Sequence, residues 1–329
     1  MFTLKDPDIS NDGPILRGEP GKKYRLVTRS DFDGLVCAIL LKELDMIDEI
    51  KFVHPKDMQD GIIDINTNDI TTNLPYVEGC YLAFDHHESE LVRNKEKSVS
   101  NYVLEPNAPS AARVVYNYFG GKETFKNISD EMMVAVDKSD SAQFKMEDVL
   151  RPKGWEFLSF IMDARTGLGR FKTFTISNQQ LMMKLIDDCR TLSIDQILEL
   201  PDIKERVDLY MSHQDKFEKQ ILHCARVFYN VVVLDLRNEE TIYAVNRFAM
   251  YALFPQCNVS IHRIWGVNKE KNVFAVGKSI FNRSSEVDVG FLMLTHGGGG
   301  HSAAGTCQIE NERADQVLRE LIKEMIEID

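Results

Sequence analysis

Along the first half of the chain, short apolar runs alternate with longer segments whose apolar positions recur at helical spacing. Residues 24–28 (YRLVT) form a strand-like run that ends in a polar turn at 29–34 (RSDFDG). Residues 35–44 (LVCAILLKEL) then carry a helical pattern. Strand, acidic turn and helix are the opening of an α/β unit. Further short strands are predicted at 50–53 and 62–65. The continuous apolar run at 80–84 (CYLAF) is of the kind buried on both faces in a parallel sheet. Helices are predicted at 110–119 and 130–136, the second leading into Asp137-Lys138-Ser139-Asp140. The expected fold is α/β: an N-terminal open, mostly parallel sheet flanked by helices.

The pattern changes near residue 196. Residues 196–226 are strongly charged and helix-periodic, interrupted by Pro201, and read as a helical connector. A β-rich run (VFYNVVVLDL) begins at 227, with further strands predicted at 258–265, 273–280 and 306–309 and an amphipathic helix at 310–328. The expected organisation is a metal-binding catalytic domain over 1–195, the connector over 196–226, and a smaller α/β substrate-binding domain over 227–329. The amphipathic connector leaves room for a homodimer.

Composition narrows the function classes. Of 329 residues, 39 are Lys or Arg and 51 are Asp or Glu, a formal net charge of −12. Such a chain has no global field for a long polyanion, so a long nucleic-acid partner is not expected, whereas a short phosphorylated substrate held locally is compatible with it. The segment from Met1 to Lys23 has no basic-then-apolar signal pattern, and no apolar run is long enough to span a bilayer. The six cysteines form no CxxC pair and read as reduced thiols. These features together predict a cytoplasmic protein without a membrane partner.

Three clusters carry candidate chemistry. Asp31 and Asp33 stand two apart at the carboxyl end of the first strand, where an extended backbone turns both carboxylates to one side. Open α/β sheets bind ligands at that edge; the alternative is a polar turn whose aspartates cap a helix. Asp85-His86-His87 follows the apolar run at the same kind of strand end. Two carboxylate-bearing strand ends with an imidazole suggest a metal centre, and oxygen-rich ligation suits Mn²⁺ or Mg²⁺. Asp140 and Asp69 are further candidate ligands. The third cluster is Gly297-Gly298-Gly299-Gly300-His301, where successive glycines let backbone N–H groups converge on an anion. Arg283 is a candidate for an added phosphate contact.

In this order, the blocks SDFDG, FDHH, DKSDSAQF and GGGGHSAAG resemble the DHH phosphoesterases, which join a DHH domain to a C-terminal DHH-associated domain. The resemblance runs from about residue 24 to 310. It implies two divalent cations, with Asp31 and Asp33 each on one, Asp69 bridging both (Asp64 being the alternative), His86 on the second, and Asp140 a further ligand. It further implies that Asp85 orients His86, that His87 meets the scissile phosphate, and that Arg283 and the loop from Gly297 to His301 grip the substrate. One position departs from the family pattern: Arg29 and Val27 stand where a histidine usually precedes the aspartate pair. His54 is then a substitute ligand, or Arg29 binds phosphate in place of the metal contact. The expected activity is metal-dependent hydrolysis of short oligoribonucleotides, linear or cyclic dinucleotides, or phosphoadenosine-type nucleotides. The alternatives are an exopolyphosphatase and a non-catalytic nucleotide binder with a degenerate metal site.

Overall fold

The computed structural model describes residues 18–93, 99–171 and 173–329. Most of the segment read for a signal pattern, residues 1–17, lies outside the described residues. The chain divides into two compact units, one of residues 1–141 and 178–192, the other of 142–177 and 193–329.

The first unit begins with β1 (Tyr24–Arg29), α1 (Phe32–Glu43), β2 (Ile47–Val53) and the short α2 (Pro55–Gln59). It continues through β3 (Asp69–Thr72), β4 (Leu82–Asp85), α3 (Glu88–Arg93) and β5 (Tyr102–Leu104). It then turns into α4 (Ala111–Tyr118), α5 (Gly121–Thr124) and α6 (Asp130–Asp140). The five strands form a wholly parallel sheet in the order β2-β1-β3-β4-β5. The order reverses between β1 and β3, so the crevice at their carboxyl ends is where such sheets receive ligands.

Two features of the sequence build that crevice. Helix α1 is buried from Phe32 to Leu41, because it is enclosed by the sheet and by helices rather than lying on the surface. Gly34 lets it start close to the strand it follows. A Cβ there would lie 2.0 Å from the Arg29 carbonyl oxygen, so no other residue fits without moving the backbone. The third strand is three-quarters polar by sequence yet wholly buried: Thr28 and Thr72 satisfy one another, with the Thr72 hydroxyl donating to Thr28 Oγ1 at 2.7 Å. That polarity hid the strand. It lies at Asp69–Thr72, not at the expected 62–65, and β5 was not expected at all.

The chain next forms α7 (Met146–Leu150) and α8 (Gly154–Met162) in the second unit and returns to the first with α9 (Asn178–Thr191). It then enters the second unit for good with α10 (Ile194–Leu198) and the 24-residue α11 (Pro201–Cys224). The expected connector is therefore this long helix, and by its contacts it belongs to the second unit. The cut expected at residue 195 differs from the compact units because 142–177 packs with the later chain.

The rest of the second unit comprises β6 (Ala225–Phe228), β7 (Val231–Asp235), α12 (Ala249–Leu253), β8 (Val259–Trp265) and β9 (Lys271–Lys278). These are followed by α13 (Val289–Thr295), β10 (Gly299–His301), β11 (Ala304–Glu310) and α14 (Asn311–Ile328). The strands make a mixed six-stranded sheet in the order β10-β11-β9-β8-β7-β6, in which only β7 and β8 are parallel. Ala314, Val317, Leu321 and Met325, at helical spacing along α14, close its core against Val231, Ile261 and Phe274. Among the described residues, no helix is long and apolar enough to cross a membrane.

Candidate metal centre

At the carboxyl edge of the parallel sheet, Asp33, His86 and Asp140 present one donor atom each, all within 4.8 Å of one another. Each arrives by a different route. Asp33 lies in the first turn of α1. His86 directly follows β4, and Asp140 is the last residue of α6. Helix α6 is fixed by Asp137, one turn earlier, whose carboxylate accepts from Ser110 Oγ at 2.8 Å and from Arg113 Nε at 2.9 Å. Residues from three separate segments thus converge because the sheet and two helices bring them there.

The cluster has the properties of a cation site. Asp33 is 2% exposed. It accepts from the backbone N–H groups of Ala111 and Ala112, at 2.9 and 2.8 Å, in the first turn of α4. Even so, burial first and the Asp140 charge second hold its carboxyl well above the usual carboxylate range. His86 donates from Nδ1 to the Ala108 carbonyl at 3.1 Å, which places the lone pair on Nε2. Nε2 lies 2.7 Å from Asp140 Oδ2 but without the alignment of a hydrogen bond, so it is a buried ring nitrogen with no hydrogen-bond partner. Burial alone would lower the His86 pKa; the Asp140 and Asp33 carboxylates overcome that and raise it to about 9. Asp140 moves down, because His86 outweighs its own burial. Two crowded carboxylates and an imidazole whose Nε2 becomes a ligand on losing its proton fit a hard divalent cation, which would replace the proton that the cluster holds.

Arg29 and Asp31 stand beside this cluster. Arg29 Nε meets Asp31 Oδ2 at 2.8 Å. Asp31 also caps α1, accepting from Gly34 N at 2.9 Å, and accepts from Asn73 Nδ2 at 3.2 Å. The capping and ligand readings of the aspartate pair thus separate: Asp31 caps the helix and Asp33 faces the cluster. On the other side, Asp85 Oδ1 accepts from His87 Nδ1 at 2.7 Å and from His86 N at 2.8 Å. Asp85 therefore orients the ring of His87, whereas the ring of His86 is oriented by Ala108. His87 is over a third exposed.

No protein-family model matches the chain, and neither does any curated protein sequence. Among solved structures, it is similar to the pGpG-specific phosphodiesterase PggH from Vibrio cholerae. The identity is 58% over 93% of this chain and 100% of that one, with a TM-score of 0.85. The chain belongs to the DHH phosphoesterases. It is thus a hydrolase of phosphoesters. Two distant structures share the fold alone. RecJ from Thermus thermophilus, in complex with Mn²⁺, is 12% identical over 94% of this chain and 53% of that one, with a TM-score of 0.52. CDC45 from Entamoeba histolytica is 11% identical over 93% and 96%, with a TM-score of 0.50.

Several expected residues of this DHH chain lie elsewhere. Asp69 opens β3, at the amino end of the sheet, and both its oxygens are held by Arg25, at 2.7 and 2.8 Å. Its alternative, Asp64, is exposed and offers its backbone carbonyl to the same arginine. Parallel strands put the two ends of β3 at opposite edges, so neither residue reaches the cluster. The residue at the carboxyl end is Asn73, which sequence reading missed; reading Ile70-Thr71-Thr72 as the strand would have found it. His54 is an exposed cap of α2, its Nδ1 accepting from Lys56 N at 3.2 Å, and among the described residues it joins no ligand group.

In the second unit, Arg283 donates to the Ile280 and Ala142 carbonyls, both at 3.0 Å. The glycine run is a hairpin edge and not an open loop: β10 pairs antiparallel with β11, and His301 is exposed at its tip. Gly298 and Gly300 are required by close packing, since a Cβ would lie 2.0 Å from Thr306 O and 2.3 Å from Ala304 O. Gly297 takes a left-handed φ of 75°, whereas a Cβ on Gly299 would meet nothing within 4 Å.

Proposed function

We propose that the protein hydrolyses the phosphodiester of a short 5′-phosphorylated dinucleotide of the pGpG type, releasing two mononucleotides, with Mn²⁺ held by Asp33, His86 and Asp140. The observation that carries this reading is the full-length 58% identity to a phosphodiesterase whose name specifies pGpG, joined to a buried donor set suited to a hard cation. Mg²⁺ suits the same donors. The net charge of −12 favours a short substrate over a long polyanion.

The chain's own residues divide the work. Asp33 and Asp140 would hold the cation through carboxylate oxygens, and His86 through Nε2. The chemistry supplied there would be Lewis-acid charge for the phosphate oxygens and a lowered pKa for a water molecule. His87, held at Nδ1 by Asp85, turns Nε2 to a phosphate or leaving-group oxygen. Arg29 offers its guanidinium to the non-bridging oxygens, where negative charge accumulates. Within the second unit, Arg283, His301 and the backbone of the 297–300 run are candidate anion contacts; Arg283 would exchange a carbonyl partner for an anion. Six thiols without a disulfide favour the reducing cytoplasm.

The test is hydrolysis by the purified protein of pGpG, longer oligoribonucleotides, cyclic dinucleotides, 3′-phosphoadenosine 5′-phosphate and polyphosphate, with Mn²⁺ or Mg²⁺. The expected result is preference for the linear dinucleotide, metal dependence and a mononucleotide product. Release of inorganic phosphate from polyphosphate as the dominant activity would replace this reading with the exopolyphosphatase one. No turnover of any substrate would leave a nucleotide binder.

A further inference from the structure

A two-cation centre would need Asp31 to ligate the first ion and another carboxylate to bridge the pair. The surroundings of Asp31 supply neither. Its carboxylate is met by Arg29 Nε at 2.8 Å, Gly34 N at 2.9 Å and Asn73 Nδ2 at 3.2 Å. A guanidinium and an amide NH₂ group are donors without a lone pair to offer, so they compete with a cation for that carboxylate instead of sharing it. The bridging position fares no better. Where β3 ends beside β1 the residue is Asn73, 1% exposed and neutral, while Asp69 is at the far edge of the sheet on Arg25. Val27, on β1, is apolar and fully buried.

Charge leads to the same count. Asp31, Asp33 and Asp140 carry three negative charges when ionised. One dication and the Arg29 guanidinium balance them, and a second dication would leave an excess beside a guanidinium that cannot lose its proton. The guanidinium has five N–H donors, of which the contact with Asp31 uses one, and its side chain is 36% exposed. It is near enough to the cluster for its charge to act on Asp140.

We infer that this centre binds one divalent cation per chain, on Asp33, His86 and Asp140, and that Arg29, anchored by Asp31, which Asn73 in turn holds, stands in place of a second cation and grips the scissile phosphate. The inference rests on the proposed phosphodiesterase reading in taking that cluster as the cation site and a phosphodiester as the ligand. Within it, Asp31 becomes a positioning residue: it aims Arg29 and caps α1. The orphaned Oδ1 of Asn73 is buried at the same strand end, a neutral oxygen where a bridging carboxylate would have carried charge.

The experiment is to count the ions. Wild-type protein, stripped by chelator and reloaded with Mn²⁺, is analysed by elemental analysis, calorimetric titration and electron paramagnetic resonance. One Mn²⁺ per chain with the spectrum of an isolated ion is expected. Two ions per chain, or an exchange-coupled pair, would overturn the inference and leave the phosphodiesterase reading standing. No bound ion would overturn both. Among variants whose circular dichroism matches wild type, Asp31→Asn is expected to keep one ion and Asp33→Asn to keep none. Loss of the ion from Asp31→Asn would make Asp31 a ligand and sink the inference. Arg29→Gln is expected to raise KM for pGpG by roughly tenfold or more with the ion count unchanged. An unchanged KM would remove Arg29 from the phosphate.

Discussion

Asp33 and Asp69 are both buried carboxylates at the edges of one parallel sheet, 2% and 1% exposed. Asp69 sits at the amino edge with a bidentate arginine and the Asn66 N–H, the latter at 2.7 Å, so its charge is matched where it stands. Asp33 sits at the carboxyl edge with two backbone N–H groups from α4, and burial, reinforced by the Asp140 charge facing it, drives its carboxyl upward. The first is a structural ion pair joining two strands. The second is electrostatically incomplete, and in the proposed reading a divalent cation completes it. Burial of an aspartate therefore says little by itself; the sign of the nearest charge separates a pair that holds the fold from a site that binds.

The largest expected effect breaks the comparison at Asp33. Asp33→Asn should lower kcat/KM for pGpG by at least about 10³-fold, because the lost Lewis-acid assistance is worth several kcal/mol. Asp69→Asn should instead leave kcat/KM within about threefold. It should cost roughly 2 kcal/mol of stability in urea titration, less than a fully buried pair because Arg25 is 20% exposed. If Asp69→Asn abolished activity while the protein stayed folded, the assignment of the two edges would be reversed.

An intermediate effect is expected at Asp85. Asp85→Asn should lower kcat by about 10–100-fold through a misoriented His87, without changing the number of bound ions. Loss of the ion instead would mean that Asp85 acts through His86.

The smallest effect is a pH dependence. In cation-free protein, His86 is raised from 6.5 to about 9, so the folded state binds that proton more tightly than the unfolded chain does. Its contribution to stability is fully present below about pH 6.5 and is lost as pH rises through about 9. Thermal unfolding across that window should show stability falling with pH, and Mn²⁺ should remove the slope by displacing the proton. A slope unchanged in His86→Ala would assign it to other groups.

Much of the site was legible in the sequence. Asp31-Phe32-Asp33-Gly34 after an apolar run announced a strand end, and Asp85-His86-His87 after another announced a second. What the sequence obscured was the third strand end. Asp69-Ile70-Thr71-Thr72 is too polar to stand out as a buried strand, since the Thr72 hydroxyl is satisfied only by a neighbour distant in sequence. Placing that strand early misdirected the bridging role to Asp69 and passed over Asn73. The glycine run was visible, but its packing was not. Gly298 and Gly300 lie against residues of the paired strand, and only the hairpin shows why a side chain cannot be accommodated there.

The sequence by itself determined the α/β class, the family resemblance, and the residue types at two strand ends, because these follow from local periodicity and from short motifs. Tertiary structure alone decided which edge of the sheet each carboxylate occupies and which cation or donor it meets. Parallel register carries Asp69 away from the site while packing brings Asp140, 107 residues after Asp33, into it. A carboxylate's role here depends on the electrostatic field of its neighbours, and those neighbours are assembled only when the sheet and its helices close around them.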